Sequence, residues 1–126
     1  MESLTALITG ASQGLGFEFT QQLLKQNYRV IATCRHLTQA QALKKLAENE
    51  PKLTLCELDV TDPKLINTLQ STLQDQSIDR LILNAGIAGA DGVTIGNIDT
   101  NNFQKVFATN TFAPICILNA LHPLVA

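Results

Sequence analysis

A glycine-rich turn near the amino terminus is the feature that most constrains the fold of this chain. The apolar run Ala6-Leu7-Ile8 leads into Thr9-Gly10-Ala11-Ser12-Gln13-Gly14-Leu15-Gly16, and an amphipathic segment over residues 17–26 follows. Glycine permits a tight turn and lets a helix pack close to a strand. An apolar run, a glycine turn and an amphipathic segment in this order predict a strand that leads directly into a helix.

The same order of elements repeats along the rest of the chain. Further apolar runs predict strands over residues 28–33, 53–58 and 78–83. Apolar residues at helical spacing predict one helix that ends at Pro51, one that begins at Asp62-Pro63, and one that begins near Asn101 with Asp99 or Thr100 as its cap. Alternating strands and helices are typical of a parallel sheet covered on both faces. We therefore expect an α/β fold, a Rossmann-like three-layer α/β/α arrangement truncated to about four strands.

Composition bounds the class of protein. Of the 126 residues, 45% are hydrophobic and 16% are charged, and the formal net charge is −2, which argues against disorder and against a basic nucleic-acid surface. Three widely spaced cysteines and two isolated histidines give neither a disulfide framework nor a zinc pattern. The sequence shows no signal-peptide pattern and no apolar stretch long enough for a membrane span. We expect residues 1–126 to form a single, incomplete domain in the cytoplasm, with no metal and no membrane contact.

Each predicted strand is followed at once by a distinctive group of residues. In chain order the groups are residues 10–16, Arg35, Asp59-Val60 and Asn84-Ala85-Gly86. Parallel strands bring their carboxyl ends to one edge of the sheet, which is where such sheets bind ligands. The four groups therefore predict one shared binding site.

The first two groups suit a phosphorylated dinucleotide. Gly10, Gly14 and Gly16 open the first helix, whose N-terminus offers free N–H groups and the positive end of its dipole to a phosphate. A turn that needs glycine only for packing is the alternative. Arg35 stands where an acid would favour NAD, and its guanidinium can pair with a 2′-phosphate instead. We expect NADP(H) to be preferred over NAD(H), and a solvated surface arginine is the alternative.

The other two groups suit the remaining parts of such a ligand. Asp59 can accept a hydrogen bond from an adenine amino group, although it could instead cap the helix that follows, a role for which Asp62 is better placed. The small residues Asn84-Ala85-Gly86 leave room for a nicotinamide ribose. Turn formation at the end of a strand is their alternative role.

A polar residue interrupts the apolar face of the last predicted helix. Asn110 shares that face with Phe103, Val106 and Phe107, and Pro114 has no N–H to donate to the carbonyl of Asn110. We expect the helix to kink here and to leave that carbonyl free to hold a water. A kinked core helix without a catalytic role is the alternative.

Taken together, these residues resemble the short-chain dehydrogenase/reductase family over nearly the whole chain. The sequence of residues 31–35 is similar to the carbonyl-reductase and C-factor-like branch of that family. The resemblance implies hydride transfer between NAD(P)H and a carbonyl or alcohol. It also implies contacts of Gly10, Ser12, Gln13 and Leu15 with the pyrophosphate and the adenosine phosphate. Asp59 and Val60 would flank adenine, and Asn84, Ala85 and Gly86 would lie along the nicotinamide. Asn110 would take part in a proton relay.

The catalytic set implied by the resemblance is otherwise missing. That set contains a tyrosine, a lysine four residues later and a serine, but Tyr28 is the single tyrosine here and Ala32 follows it by four. We expect the cofactor-binding half of an NADP(H)-dependent oxidoreductase that is inactive alone. The alternatives are a non-catalytic nucleotide-binding or interaction module, and an enzyme that uses His36 or His122 instead. We also expect a homo-oligomer that covers the outer edge of the fourth strand and the last helix.

Overall fold

The computed structural model describes residues 2–126 and has strands and helices that alternate as far as the fourth strand. The strands are β1 (Thr5–Ile8), β2 (Arg29–Cys34), β3 (Leu53–Glu57) and β4 (Arg80–Ile82). The helices are α1 (Gly14–Lys25), α2 (Gln41–Glu48), α3 (Pro63–Thr72), α4 (Thr100–Phe107) and α5 (Ala113–Leu121). A π-helical turn, Ala108–Phe112, joins α4 to α5, and 3₁₀ turns lie at Leu37–Gln39 and His122–Leu124.

The four strands form one parallel sheet in the order β3-β2-β1-β4. In its centre, Leu7 of β1 pairs with Ile31 of β2 on one side and with Leu81 of β4 on the other. The predicted α/β fold with a parallel sheet of four strands is confirmed.

Both faces of the sheet are covered, which produces three layers. Successive residues of β1 point to opposite faces, so that Leu7 belongs to one apolar cluster and Ile8 to the other. The Leu7 cluster includes residues of α3 and α5, such as Ile66 and Ile117. The Ile8 cluster lies against α1 and α2 and includes Leu43. Burial on both faces explains why the central strands are continuous apolar runs rather than alternating ones.

Two helices begin at the predicted capping residues. The side chain of Asp62 accepts a hydrogen bond from the backbone N–H of Lys64 at 2.9 Å, with Pro63 as the first residue of α3. The side chain of Asp99, rather than Thr100, caps α4 by accepting from the N–H groups of Asn101 and Asn102. Such caps depend on residues only two or three positions away.

The outer side of the fourth strand differs from the prediction. β4 covers Arg80–Ile82 instead of residues 78–83, and Ile78 forms an isolated parallel bridge with Val125. The N–H of Ile78 donates to the carbonyl of Leu124 at 2.8 Å, and the N–H of Ala126 donates to the carbonyl of Ile78 at 2.9 Å. Within residues 2–126, β4 remains the last strand on this side of the sheet, and the outer pairing lies just ahead of it.

Candidate functional site

The three glycines of the first turn have different structural roles. Gly10 has φ +65°, and a Cβ placed on it would lie 2.8 Å from the Cα of Ala85. A Cβ on Gly16 would collide with the carbonyl oxygen of Gly10 and would lie 2.6 Å from Nδ2 of Asn84. Gly14 has φ +58°, but the space around its missing Cβ is open. Gly10 and Gly16 therefore let α1 approach the end of β4, whereas Gly14 leaves room beside the start of α1.

The N-terminus of α1 opens onto the free space beside Gly14. Gln13 caps the helix with extended backbone and without a side-chain hydrogen bond, and the first turn holds no acidic residue. Backbone N–H groups in such a turn have no intrahelical partners. Ser12, Gln13 and Gly14 line the adjoining cavity, whereas Leu15 is outside its lining and is 69% exposed. The start of α1 can therefore offer backbone donors to an anion.

Thr9 joins the glycine turn to the end of β4. Its buried side-chain Oγ1 accepts hydrogen bonds from the backbone N–H groups of Asn84 and Ala85, both at 3.0 Å. The side chain of Asn84 in turn donates to the carbonyls of Thr9 and Gly10 at 3.2 and 3.1 Å. Two of the four predicted groups are thus tied together directly, and the amide of Asn84 is used within the turn.

At the end of β2, the exposed residue Arg35 directly follows the buried residue Cys34. Cys34 is buried at the last position of the strand, and Arg35 and His36 follow as exposed residues that line the cavity. Burial, and secondarily the charge of Glu57, raises the pKa of the Cys34 thiol, although a hydrogen bond from the backbone of His36 partly opposes this rise. A thiol with a raised pKa is a weak nucleophile. The charge at this end of the cavity therefore comes from the Arg35 guanidinium and not from a Cys34 thiolate.

Asp59 follows β3 and is held by Thr61. Its Oδ1 accepts from the hydroxyl of Thr61 at 2.7 Å and from the N–H of Thr61 at 2.9 Å. The side-chain hydrogen bond from Thr61 is the main cause that lowers the pKa of Asp59. The backbone bond and the nearby charges of Arg35 and His36 act in the same direction, while burial opposes them. Asp59 is thus an ionised acceptor at neutral pH, and capping of α3 falls to Asp62 as predicted.

Asn110 lies in the π-helical turn and is bonded to the loop after β4. Its Oδ1 accepts from the N–H of Ile87, and its Nδ2 donates to the carbonyl of Ile87, both at 2.8 Å. The expected kink before Pro114 takes the form of this π turn, in which the N–H of Ala113 donates to the carbonyl of Ala108. Asn110 itself does not line the cavity.

The strand ends surround one open cavity of about 1070 Å³. It brings together ten of the predicted residues, namely Gly10, Ser12, Gln13, Gly14, Arg35, Asp59, Val60, Asn84, Ala85 and Gly86. Leu15, Gly16 and Asn110 are not in its lining. All four predicted groups therefore meet at the carboxyl edge of the sheet, as the parallel topology requires.

Several lining residues were not predicted from the sequence. They come mainly from the segment after β2 and from α4 with its π turn, and they include Gln39, Ala40, Gln41, Ala42, Thr61, Lys105, Ala108 and Thr109. His36, named above only as an alternative catalytic residue, lines the cavity as well. Lys105 lies on α4 and Thr109 in the π turn, and the apolar pattern of this segment did not indicate a cavity. A threonine two residues after a strand-end aspartate was an available signal for Thr61, because such pairs form hydrogen-bonded turns.

Residues 2–126 contain neither a cluster of metal-ligating side chains nor a membrane-spanning helix. No group of three or more His, Cys, Asp or Glu side chains within that range could hold a metal ion. No helix in the same range is both long and apolar enough to cross a membrane.

Comparison with known proteins gives a consistent result. A family model described as short chain dehydrogenase matches residues 4–126. Retinol dehydrogenase 5 from Homo sapiens is 33% identical over 121 residues, which are 93% of this chain and 37% of that protein. Salutaridine reductase from Papaver bracteatum is 38% identical over 111 residues, covering 82% of this chain and 33% of that enzyme.

Solved structures agree with these sequence relatives. A short-chain dehydrogenase/reductase from Burkholderia multivorans with bound NADP superposes with a TM-score of 0.93 at 34% identity, covering 99% of this chain and 55% of that one. The NADPH-bound carbonyl reductase from chicken fatty liver gives a TM-score of 0.90 at 38% identity, covering 98% and 49%. The chain thus spans only about a third of the two curated relatives and about half of the two solved chains.

Proposed function

The chain belongs to the short-chain dehydrogenase family, and we propose that residues 1–126 form an NADP(H)-binding domain. The domain would serve an oxidoreductase that transfers hydride to or from a carbonyl or alcohol. The observation that carries the proposal is the single cavity that gathers the glycine turn, Arg35, Asp59-Val60 and Asn84-Ala85-Gly86. Two similar structures contain NADP or NADPH by their descriptions.

The residues fit such a ligand at its phosphates. The start of α1 has no side-chain cap and no acidic residue in its first turn, so its N–H groups are available to a pyrophosphate. Open space at the missing Cβ of Gly14 lets a ligand approach the backbone. Ser12, Gln13 and Gly14 would hold the pyrophosphate, and Arg35 would pair with the 2′-phosphate through its fork of donors. An acidic residue is absent from the segment directly after β2, which reads Arg35-His36-Leu37.

The rest of the cavity suits the adenine and nicotinamide rings of the dinucleotide. Asp59 is ionised and Val60 is buried beside it, a combination of acceptor and apolar surface that matches adenine. Ala85 and Gly86 offer little side-chain bulk along the β4 side, where the nicotinamide would pass. Gly16 and Leu15 would act through the shape of the turn rather than by lining the cavity. Asn110 would act through the loop that it holds at Ile87.

The bound dinucleotide would supply the hydride, and these residues would bind and orient it. A carbonyl reduction delivers the hydride to the carbon and also needs a proton donor beside the carbonyl oxygen. Tyr28 cannot fill that role because it lies just before β2, at the amino edge of the sheet and opposite the cavity. We therefore propose that these 126 residues bind the cofactor without turnover of their own.

Self-association belongs to the proposal as well. Phe103, Phe112 and Ile115 are 64%, 60% and 61% exposed along α4, the π turn and α5. Exposed apolar surface of this kind commonly marks a contact with another protein surface. A homo-oligomer that covers this face is our proposal, and a cytoplasmic location stays a prediction.

Titration of the purified chain with NADPH tests the proposed function. We expect saturable binding at a single site, seen as a shift in nicotinamide fluorescence or by calorimetry. Incubation with NADPH and a panel of aldehydes and ketones should give no oxidation above the rate without protein. A chain that binds neither NADPH nor NADH would contradict the cofactor site, and turnover would contradict the proposed absence of catalysis.

A further inference from the structure

Resting on the proposed function, we infer that Lys105 of α4 supplies a positive charge to the diphosphate of the bound dinucleotide. Lys105 lines the cavity although it is far from the glycine turn in sequence. Among the lysine, arginine and carboxylate side chains that line the cavity, Arg35 and Lys105 are cationic and Asp59 is anionic. The lining is thus net cationic in a chain whose formal net charge is −2, which favours an anionic ligand.

Both cations share the cavity lining with the start of α1. Arg35 follows β2 and Lys105 lies on α4, while Ser12, Gln13 and Gly14 at the N-terminus of α1 line the same cavity. A diphosphate held at that N-terminus would meet the Lys105 side chain from the α4 wall of the cavity. The 2′-phosphate would lie towards Arg35.

The backbone around Lys105 is anchored on both sides. Oδ1 of Asn102 accepts from the N–H of Ala90 at 3.0 Å, and Asn110 binds both backbone groups of Ile87. The same loop is therefore fastened to α4 one turn before Lys105 and to the π turn just after it. Ala108 and Thr109 also face the cavity. The stem of Lys105 therefore starts from a fixed position at the cavity wall, and its flexible side chain carries three donors that can reach over the opening.

Lys105→Gln tests this inference because it removes the charge and keeps a flexible polar side chain. We expect the dissociation constants of NADP⁺ and NAD⁺ to rise by the same factor, about three- to tenfold at low salt. The loss should shrink as salt rises. Lys105→Arg should stay within about twofold of the unmodified chain, since it keeps the charge. Calorimetry with both dinucleotides gives the constants, and thermal unfolding shows whether a variant is folded.

Lys25→Gln is the matched control. Lys25 is exposed at the last position of α1, roughly 16 Å along the helix from Gly14, and it does not line the cavity. It makes the same change in net charge and should leave both constants unchanged. Equal affinities of the Lys105→Gln variant and the unmodified chain would overturn the inference while leaving the proposed function intact. A loss confined to NADP⁺ would also overturn it. If the unmodified chain binds neither dinucleotide, the proposed function fails and this inference fails with it.

Discussion

The side-chain amide of Asn110 pairs with both backbone polar groups of Ile87, 23 residues earlier in the chain. Its oxygen accepts from the N–H and its nitrogen donates to the carbonyl, each at 2.8 Å. A side chain therefore completes backbone hydrogen bonding for the loop at a point beyond the last residue of β4. The loop residues Gly86 and Ile87 line the cavity, so this pair fixes one wall of the candidate site.

Asn110→Ala should release that wall. We expect faster amide hydrogen exchange at Ile87 and a loss of about 1 kcal/mol in the free energy of unfolding, since Asn110 is exposed and its partners regain water. Exchange measured by NMR and urea denaturation check the two effects. Asn119→Ala, at an exposed position of α5, serves as the control. Unchanged exchange at Ile87 would show that the loop does not depend on Asn110.

Gly16→Ala and Gly14→Ala should differ sharply in stability. A Cβ on Gly16 meets the backbone of Gly10, which cannot move without disturbing the turn, so we expect a loss of about 3 kcal/mol or more. Gly14→Ala has open space and suffers only from its positive φ, at a cost of about 1 kcal/mol. Urea denaturation gives both values. Equal stability of the two variants would contradict the packing role assigned to Gly16.

Arg35→Ala should change the choice of cofactor. Loss of the guanidinium removes a charge-assisted pair with a 2′-phosphate, so we expect the dissociation constant of NADP⁺ to rise about ten- to a hundredfold. The constant for NAD⁺ should change by less than about twofold, because NAD⁺ lacks that phosphate. Arg80→Ala, at an exposed position at the start of β4, is the matched control. Equal losses for both dinucleotides would rule out the 2′-phosphate role.

Asp59 should make stability depend on acid pH. Its pKa lies below the ordinary value of 3.8 in the folded chain, mainly because of the hydroxyl of Thr61. The stabilisation is therefore present above about pH 4 and is lost as the pH falls through the lowered pKa. Thr61→Val should raise the pKa of Asp59 towards 3.8 and weaken this acid dependence.

Carbon-13 NMR of the Asp59 carboxyl group measures that shift. Thr68→Val provides the comparison, because its hydroxyl donates to the carbonyl of Lys64 within α3 and not to a carboxylate. An Asp59 titration that is the same in the unmodified chain and in Thr61→Val would contradict the assigned cause.

Much of the fold was readable from local sequence. The glycine turn, the parallel sheet and the cap Asp62 were predicted, and Asp99 was one of two candidate caps, because each depends on nearby residues or on general rules for parallel strands. The extent of β4 was wrong, since pairing between neighbouring strands rather than apolar character decides where a strand ends. The sequence run 78–83 is apolar at both ends, but its outer partner near Ile78 comes from residues 124–126.

The residues of the candidate site were likewise predicted only in part. Residues that follow a strand directly were predicted to meet, and ten of them line one cavity, because the parallel sheet brings its strand ends to one edge. The contributions of Thr61, Lys105 and Thr109 were missed. A helix shows its apolar face in the sequence, but it does not show which strand end it passes.

By itself the sequence determined the elements, their alternation and the edge of the sheet at which the polar groups gather, because turns, caps and periodicity act over a few residues. Only the tertiary structure decided which distant groups meet. Thr9 reaches the N–H groups of Asn84 and Ala85 across 75 and 76 residues, and Asn110 reaches Ile87 across 23. Such contacts depend on how closely α1 approaches β4 and on where the π turn places Asn110, and both are set by packing against the sheet.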